Sequence, residues 1–424
     1  MIKTEYRQLD ETLWHGKLTN GLTVAVVPKK GFSKKLAYFV TDFGSIHTDF
    51  TFEGQEYHVS AGIAHYLEHK LFDMPQSRDV SAEFAALGAI TNAFTSYDMT
   101  AYYFSCTENF EECLQLLLEF VSTPYFTEES VRKEQGIIDQ EIGMNEDAPE
   151  SKVFENLVST LYTRHPIRVP ILGTSESIRE ITADTLYLCH RAFYTPGNMM
   201  LCVIGDVDPG KVATIAEEIL GKAERPVGQK LKNWEETLDC PQSQTISRME
   251  VAMPMFDLAF KCLPLGKGEE AIRQEMIADL AAEALFGESS ALYLRLYEEG
   301  IIDSSFGGGF ETIDGAAMLL CSGDSESPEV IRDAILTQAQ TLRDEGIGED
   351  AFLRMKRSAL GRRIRALDSF DSTCFRLCAY KMSDFDYFRF PEIYRDIRQE
   401  DVLSFIADTV TSTNNVLSII EPLL

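Results

Sequence analysis

The chain has 424 residues, of which 45% are hydrophobic and 25% are charged. These proportions are typical of a globular protein with an ample core and roughly two to four domains. The net charge of -28 argues against a nucleic-acid partner, because the phosphates would be repelled. The acidity indicates either an acidic interior that attracts basic peptides or simply an acidic surface.

No segment of the sequence is predicted to enter a membrane. The N-terminal segment 1–20 lacks the apolar stretch of a signal peptide. The longest apolar runs, such as 116–118 and 199–204, are too short to span a bilayer. The nine cysteines are odd in number and include no C-x-x-C pair. We therefore expect reduced, mostly buried thiols in a reducing, cytoplasmic compartment.

Hydrophobic periodicity predicts a mixture of strands and helices in the first half of the chain. The predicted strands cover 21–28, 36–43 and 198–204, with a strand pair inside 90–106. The predicted helices cover 59–72, 80–87, 110–121, 127–145, 184–194 and 209–220. The helix at 127–145 opens with Thr127 as its cap and two acidic residues in its first turn.

A linker is predicted at residues 223–246, which contain two prolines and lack apolar periodicity. It separates an N-terminal half, residues 1–222, from a C-terminal half, residues 247–424. In the C-terminal half we expect strands at 247–253, 315–321 and 415–420, and helices at 269–286, 290–299, 328–344, 350–367 and 400–410.

One internal similarity links the two halves, because segments 184–205 and 401–422 align without gaps. The alignment pairs Asp184 with Asp401, Leu186 with Leu403 and Asn198 with Asn415, and puts Ile204 one position past Ile420. Identity is weak, but the helix–turn–strand pattern agrees. We predict an α+β fold of two structurally related α/β halves, with mixed or antiparallel sheets packed with helices, enclosing a chamber. A coincidence of two α/β units is the alternative.

The helix predicted at 59–72 carries His65, Glu68 and His69 in the order H-x-x-E-H. On a helix the two histidines lie one turn apart and point the same way, so their imidazoles can bind one metal ion. Glu68 lies beside them and can take a proton from a water molecule. The order reverses the zincin motif H-E-x-x-H and is the inverzincin signature. Two buried, hydrogen-bonded histidines on an ordinary helix are the alternative.

A carboxylate is the best candidate for a further metal ligand. A catalytic zinc ion takes three protein ligands and keeps one open position, and the other five histidines show no metal-ligand spacing. In the segment VRKEQGIIDQEIGMN, Glu134 and Glu141 lie about 20° apart around the helix, within the apolar stripe of Val131, Ile137 and Ile138. Burying two carboxylates is costly unless a cation or donors compensate, so we expect a metal ion, a buried arginine or backbone amides beside them.

Three motifs stand together in the first half: HYLEH at 65–69, NAFTS at 92–96, and Glu134 followed seven residues later by Glu141. With them the chain resembles the pitrilysin/insulinase family of zinc metallopeptidases. The resemblance is dense from about residue 22 to residue 206, and beyond that the repeated fold supports it. Length and two-half layout look most like the bacterial processing-protease-like members.

This resemblance implies a zinc endopeptidase that cleaves extended or unfolded peptides. It implies that His65, His69 and Glu141 hold one Zn2+ per chain, although such a ligand set also accepts Mn or Co. Glu68 would then be the general base, and Glu134 an accessory catalytic carboxylate that steadies the site.

The resemblance also implies a substrate-binding edge strand at Asn92, Ala93 and Phe94. Extended peptides bind exposed strand edges through main-chain hydrogen bonds, so sequence selectivity would be loose. An ordinary core strand is the alternative for this segment.

One part of the family pattern is missing. Active relatives bring an arginine, and a tyrosine seven residues later, from the second half to the substrate carbonyl. The equivalent positions here carry Tyr297 and Ser304, with Arg295 and Tyr293 as candidate substitutes. The resemblance therefore implies a homodimer, or a heterodimer with a related chain. The net charge and the short apolar runs predict no nucleic-acid or membrane partner.

Two other functions stay open. The first is a non-proteolytic or partner-dependent structural subunit of a peptidase-like complex, which the missing Arg/Tyr pair favours. The second is a metal-dependent hydrolase of small molecules, which leaves the second half of the chain without a role.

Overall fold

The chain folds into two α/β halves that each contain one large sheet. The computed structural model describes residues 1–75, 78–232 and 234–423. Asn233, inside the predicted linker, and Leu424, the last residue of the predicted C-terminal half, lie outside the described residues, as do residues 76–77.

The N-terminal half begins with strands that the sequence did not reveal. Its strands are β1 (Ile2–Tyr6), β2 (Glu11–Lys17), β3 (Thr23–Pro28), β4 (Lys35–Thr41), β5 (Asp49–Phe52), β6 (Gln55–His58), β7 (Ile90–Thr95), β8 (Thr100–Cys106) and β9 (Met199–Gly205). Its helices are α1 (Ile63–Leu71), α2 (Val80–Ala86), α3 (Phe110–Ser122), α4 (Glu128–Glu146), α5 (Pro149–Leu161), α6 (Ser175–Ile178), α7 (Ala183–Phe193) and α8 (Pro209–Leu220). The sequence prediction omits β1, β2, β5, β6, α5 and α6, and places the other elements within a few residues.

The second half follows the same mixed pattern. The predicted linker contains β10 (Gln229–Lys230), which pairs with β5. The strands that follow are β11 (Gln244–Met249), β12 (Met255–Cys262), β13 (Gly307–Ile313), β14 (Ala316–Asp324) and β15 (Asn415–Pro422). The helices are α9 (Glu269–Phe286), α10 (Ala291–Glu298), α11 (Pro328–Glu345), α12 (Glu349–Arg365), α13 (Phe370–Met382), α14 (Phe390–Asp396) and α15 (Gln399–Thr409). The sequence prediction omits β12, β13, α13 and α14.

Five of the seven strands of the N-terminal sheet have the topology of the five-stranded C-terminal sheet. In the N-terminal half the strand order is β1-β2-β3-β9-β4-β8-β7, and in the C-terminal half it is β11-β15-β12-β14-β13. Strand β9 runs parallel to β3 and antiparallel to β4, and β15 runs parallel to β11 and antiparallel to β12. Strands β9 and β15 are those that the internal alignment pairs. The prediction of two structurally related halves with mixed sheets is therefore confirmed.

The N-terminal sheet is covered by helices on both faces. One face, with Val26, Phe39 and Phe104, packs against α1, α3 and α8 of its own half. The other face, with Tyr38 and Cys202, packs against α13 of the C-terminal half. Side chains alternate between the faces along a strand, so a sheet that is apolar on both faces must be covered twice.

The C-terminal sheet is likewise covered on one face by helices of its own half and on the other face by a helix of the N-terminal half. Leu258 and Leu319 on one face pack against helices of the C-terminal half, including α9 and α11. On the other face Ala259, Met318 and Val416 pack against α5, which belongs to the N-terminal half. Each half therefore supplies one helix to complete the core of the other.

The cysteines agree with the expectation of unpaired, mostly buried thiols. All nine cysteines are unpaired thiols, and eight of them are buried. Among the helices within the described residues, none has both the length and the apolar character required to cross a bilayer.

Glu236, in the segment predicted as a linker, contacts both halves. Its carboxylate accepts hydrogen bonds from the backbone N–H groups of Thr163, Arg164 and His165, at 2.9, 2.5 and 2.8 Å, just after α5. It also pairs with Lys261 of β12 at 2.8 Å, and the side chains of Glu236 and Lys261 are only 8% and 3% exposed. Burial alone would raise the pKa of Glu236, but Lys261 and the two amides of Arg164 and His165 lower it to about 2.

We expect Glu236→Gln to lower the free energy of unfolding by about 3 kcal/mol near neutral pH, because Lys261 would be left buried and unpaired. The pKa of Glu236 is depressed from 4.5 to about 2 in the folded state. The stabilisation by the charged carboxylate is therefore complete above about pH 4.5 and is lost as the pH falls towards 2. Denaturant unfolding of both proteins across this pH range measures the difference.

Glu235, the exposed neighbour, supplies the control. Glu235→Gln should change the free energy of unfolding by less than about 0.5 kcal/mol. Equal stability of the wild type and Glu236→Gln at neutral pH would contradict a stabilising role of Glu236.

Candidate metal centre

Helix α1 begins where Gly62 takes a left-handed backbone conformation, with φ of 88°. A Cβ at this position would lie 2.4 Å from the carbonyl oxygen of Leu172, so a side chain is excluded. The Ser177 hydroxyl donates a hydrogen bond to the carbonyl of Ala61 at 2.9 Å. These contacts keep the residues before Ile63 in a non-helical conformation. Helix α1 therefore starts at Ile63 rather than at residue 59 as predicted.

Helix α4 lies beside α1 and is tied to it by the hydroxyl of Tyr66, which donates a hydrogen bond to the carbonyl of Val131. The buried residues of α4 are Val131, Ile138 and Ile142. The prediction that Ile137 belongs to this stripe is wrong, because Ile137 is 47% exposed. The glutamates form the boundary of the stripe, and Ile137 lies beyond them around the helix.

The two helices bring His65, His69 and Glu141 together. The Oε1 atom of Glu141 lies 3.6 Å from Nε2 of His65, and its Oε2 atom lies 3.5 Å from Nε2 of His69. One ligand atom from each residue lies within 4.8 Å of the others. A tetrahedral ion with bonds of about 2.0–2.2 Å holds its ligand atoms roughly 3.3–3.6 Å apart. The distances from the Glu141 oxygens to the two imidazoles are therefore compatible with a single zinc ion held by the three groups.

Glu134 contacts the far side of one imidazole. Its Oε1 atom lies 3.0 Å from Nδ1 of His69. A proton on Nδ1 would be donated to this carboxylate, which leaves the lone pair on Nε2 of His69 available to a metal ion. Nδ1 of His65 is buried and has no hydrogen-bond partner among the described residues.

The charges of the site favour a cation. Burial disfavours the imidazolium of His69, but Glu134, Glu141 and Glu68 together raise its pKa above the ordinary value. The nearby imidazole of His65 lowers the pKa of Glu141 more than burial raises it. Three carboxylates surround two imidazoles, so a bound divalent cation would compensate the excess negative charge.

Glu68 lies on α1 but turns towards strand β7. Its Oε2 atom accepts a hydrogen bond of 2.6 Å from Oγ1 of Thr95, the last residue of β7. Glu68 is not a member of the metal-binding cluster. Sequence reasoning missed the contact with Thr95, although Thr95 lies inside the NAFTS motif that it singled out.

Strand β7 carries Asn92, Ala93 and Phe94 and stands at the end of the N-terminal sheet. Within the described residues β8 is its only partner strand. The segment is therefore an edge strand rather than a central one, and its outer side can accept another strand. The N–H of Ala93 donates to Oδ1 of Asn92 at 2.9 Å, a contact that an added strand would replace. Ile90 at its start is 76% exposed, and the ring of Phe94 lies 6.0 Å from that of Phe375 on α13.

The candidates for the missing Arg/Tyr pair lie on or just after α10. Tyr293 stacks on Tyr297 with 5.9 Å between ring centroids, and Tyr297 is 53% exposed. Arg295 is exposed on the same helix, and Ser304 is exposed in the loop that follows. In the part of the chain that the structure describes, no hydrogen bond or ion pair joins these side chains to α1 or α4, so none of them is brought to the site.

Comparisons with known proteins agree along the whole chain. Residues 54–175 match the family described as insulinase (peptidase family M16), and residues 180–359 match the peptidase M16 inactive domain. An uncharacterized zinc protease of Bacillus subtilis, YmfH, is 38% identical over 422 residues, which cover 97% of each chain.

Two solved structures show the same fold. The crystal structure of an M16-like peptidase from Alicyclobacillus acidocaldarius has a TM-score of 0.93 at 32% identity, with 97% of this chain and 99% of that chain covered. A protease from Helicobacter pylori has a TM-score of 0.80 at 19% identity, with the same coverage. With sequence similarity to YmfH along nearly its full length, the chain belongs to the insulinase family of peptidases, family M16.

Proposed function

We propose that the chain is a zinc-dependent endopeptidase that cleaves extended or unfolded peptides. The observation that carries this proposal is the cluster of His65, His69 and Glu141, with Glu68 on the same helix as the two histidines and hydrogen-bonded to Thr95 of the edge strand β7. Several relatives, including YmfH, are named zinc proteases, which supports zinc as the ion. Two histidines and one glutamate are also a known ligand set of catalytic zinc.

Zinc held by these residues would polarise the scissile carbonyl and lower the pKa of a water molecule. Glu68 takes the proton of the attacking water and returns it to the leaving amine. Glu134 orients His69 through Nδ1 and in this way steadies the ligand set.

The edge of β7 at Asn92, Ala93 and Phe94 binds the peptide backbone as an added strand. Because main-chain hydrogen bonds provide most of this binding, the enzyme accepts many sequences. A substrate must offer an extended segment, which favours unfolded or short chains.

In this proposal residues 1–222 form the catalytic half, 223–246 the linker and 247–424 the half that closes the substrate chamber. The unpaired state of all nine cysteines supports a reducing, cytoplasmic location.

A second candidate is a partner-dependent or non-proteolytic subunit of a peptidase-like complex. Two observations favour it: residues 180–359 match a domain described as inactive, and α10 makes no polar contact with α1 or α4 within the described residues. A homodimer, or a heterodimer with a related chain, would then supply the donors for the substrate carbonyl.

Zinc binding should depend on Glu141. We expect Glu141→Ala to weaken zinc affinity by more than about a hundredfold, because loss of an outer-shell partner alone costs about 10–100-fold. Metal analysis after dialysis against a graded chelator measures the affinity. Glu146→Ala, at the exposed end of the same helix, is the control and should keep its zinc. Unchanged zinc affinity in Glu141→Ala would remove Glu141 from the ligand set and make Glu134 the next candidate.

Glu68 should act on the proton without holding the metal. We expect Glu68→Gln to retain zinc and its unfolding temperature and to lower kcat about 10²–10⁴-fold. Cleavage of a quenched fluorescent peptide and zinc stoichiometry, measured on the same sample, separate the two roles. Glu56→Gln, on the exposed strand β6, should leave both readouts unchanged. Near-normal cleavage by Glu68→Gln would exclude Glu68 as the base.

The isolated chain should be slow, because loss of one carbonyl-stabilising donor costs about 10²–10³-fold in rate. We expect the rate per chain to rise with protein concentration or on adding a related chain, with light scattering reporting the assembly. Excess Glu68→Gln protein mixed with wild type should also raise the rate per wild-type site, because an inactive copy still supplies donors. A strict monomer with full, concentration-independent activity would rule out this requirement.

A further inference from the structure

We propose that Thr95 is the positioning residue for Glu68, and that it couples the strand that receives the peptide to the carboxylate that takes the proton. The inference rests on the proposed peptidase function and adds to it a residue outside the metal-binding cluster. It starts from one contact: Oγ1 of Thr95 lies 2.6 Å from Oε2 of Glu68. This is a short, charge-assisted hydrogen bond between β7 and α1.

The direction of this hydrogen bond is fixed by its neighbours. Oγ1 of Thr100, the cross-strand partner of Thr95, lies 2.9 Å from the carbonyl of Phe43 and 3.4 Å from Oγ1 of Thr95. In both contacts Thr100 is the donor, so neither uses the proton of Thr95, which is donated to Glu68 because a carboxylate only accepts.

Neighbouring contacts fix the backbone of Thr95 and with it the position of the hydroxyl group. It precedes a tight turn closed by the N–H of Ser96 donating to the carbonyl of Met99 at 2.8 Å. Gly44 packs against this turn so closely that a Cβ would lie 2.6 Å from the carbonyl oxygen of Ser96. Thr95 is also β-branched, which limits its rotation about χ1. A rigid donor thus faces a glutamate that has several rotatable bonds of its own.

The contact gives the two carboxylate oxygens of Glu68 different roles. Thr95 holds Oε2, so Oε1 remains to accept the proton from water. The same strand carries Asn92, Ala93 and Phe94 at its free edge. Strand β7 therefore receives the peptide backbone and also, through Thr95, positions the base on α1. This arrangement orients the reacting groups before the chemical step.

The test compares three variants in the assembly that shows wild-type activity. Thr95→Val keeps the branched shape and removes the donor, and we expect kcat to fall about 10–100-fold with KM within about twofold. Thr95→Ser keeps the donor and should recover kcat to within about threefold. Thr91→Val is the matched control, because Thr91 lies on the same strand and face but donates to the carbonyl of Tyr103 at 3.0 Å. It should leave kcat within about twofold.

Two further readouts separate positioning from a structural effect. Zinc stoichiometry should equal that of the wild type in all variants. In the Glu68→Gln background, Thr95→Val should not change the affinity for a fluorescein-labelled unstructured peptide, measured by anisotropy. If Thr95→Val unfolds at a lower temperature than Thr95→Ser, Thr95→Ala is measured in its place, with the same expectation.

The outcomes distinguish this inference from the function on which it rests. A wild type that hydrolyses peptides while Thr95→Val keeps kcat within twofold overturns the role of Thr95 alone. Loss of zinc or of peptide affinity in Thr95→Val, in parallel with kcat, also overturns it, because the residue would then be structural. A zinc-loaded wild type that cleaves no peptide in any assembly overturns the proposed function, and the role of Thr95 with it.

Discussion

The exchange of covering helices between the two halves is the constraint on which the rest of the structure depends. Each large sheet is apolar on both faces, and α5 and α13 each cover a face that belongs to the opposite half. Helix α5 follows α4 after two residues, and Asn145 donates a hydrogen bond of 2.7 Å to Glu155 across this junction. The position of α4, and with it the carboxylates of Glu134 and Glu141, is therefore set partly by the C-terminal sheet.

The candidate metal centre takes its geometry from this scaffold rather than from a flexible loop. Its five polar side chains come from two packed helices, and each helix is tied to its surroundings by a hydrogen bond or a close glycine contact. Glu141 is 42% exposed and His69 26%, so water and substrate can reach a site in which His65 and Glu134 are more buried. A catalytic metal ion needs ligands held by rigid elements and one side of the site accessible to water and substrate.

Structural features that depend on the local spacing of residues can be predicted from the sequence. His65 and His69 are one helical turn apart, and the segments ending in β9 and β15 repeat each other, so both features can be predicted without tertiary information. Elements whose partners are distant in the chain are harder to predict. Helix α5 packs on Ala259, Met318 and Val416, about 100 or more residues away, and no local pattern identifies them.

Two smaller errors of the sequence prediction also arise from contacts between segments that are distant in the chain. The exposure of Ile137 and the late start of α1 at Ile63 follow from contacts with other segments: α4 turns its glutamates towards α1, and Gly62 packs against Leu172. The hydrogen bond between Thr95 and Glu68 joins a strand to a helix 27 residues earlier in the chain. A sequence pattern identifies these residues but not the pairs they form.

The reciprocal placement of α5 and α13 also affects how the protein is made. When a ribosome has completed the N-terminal sheet, α13 at Phe370–Met382 has not yet been synthesised, so the face that contains Tyr38 and Cys202 has no covering helix. The nascent chain must keep this face away from other chains until nearly nine-tenths of its length has been made, a situation that exposes it to aggregation and favours chaperone binding. Since the contacts that end this exposure join residues far apart in sequence, folding is expected to be completed late and slowly, after release from the ribosome.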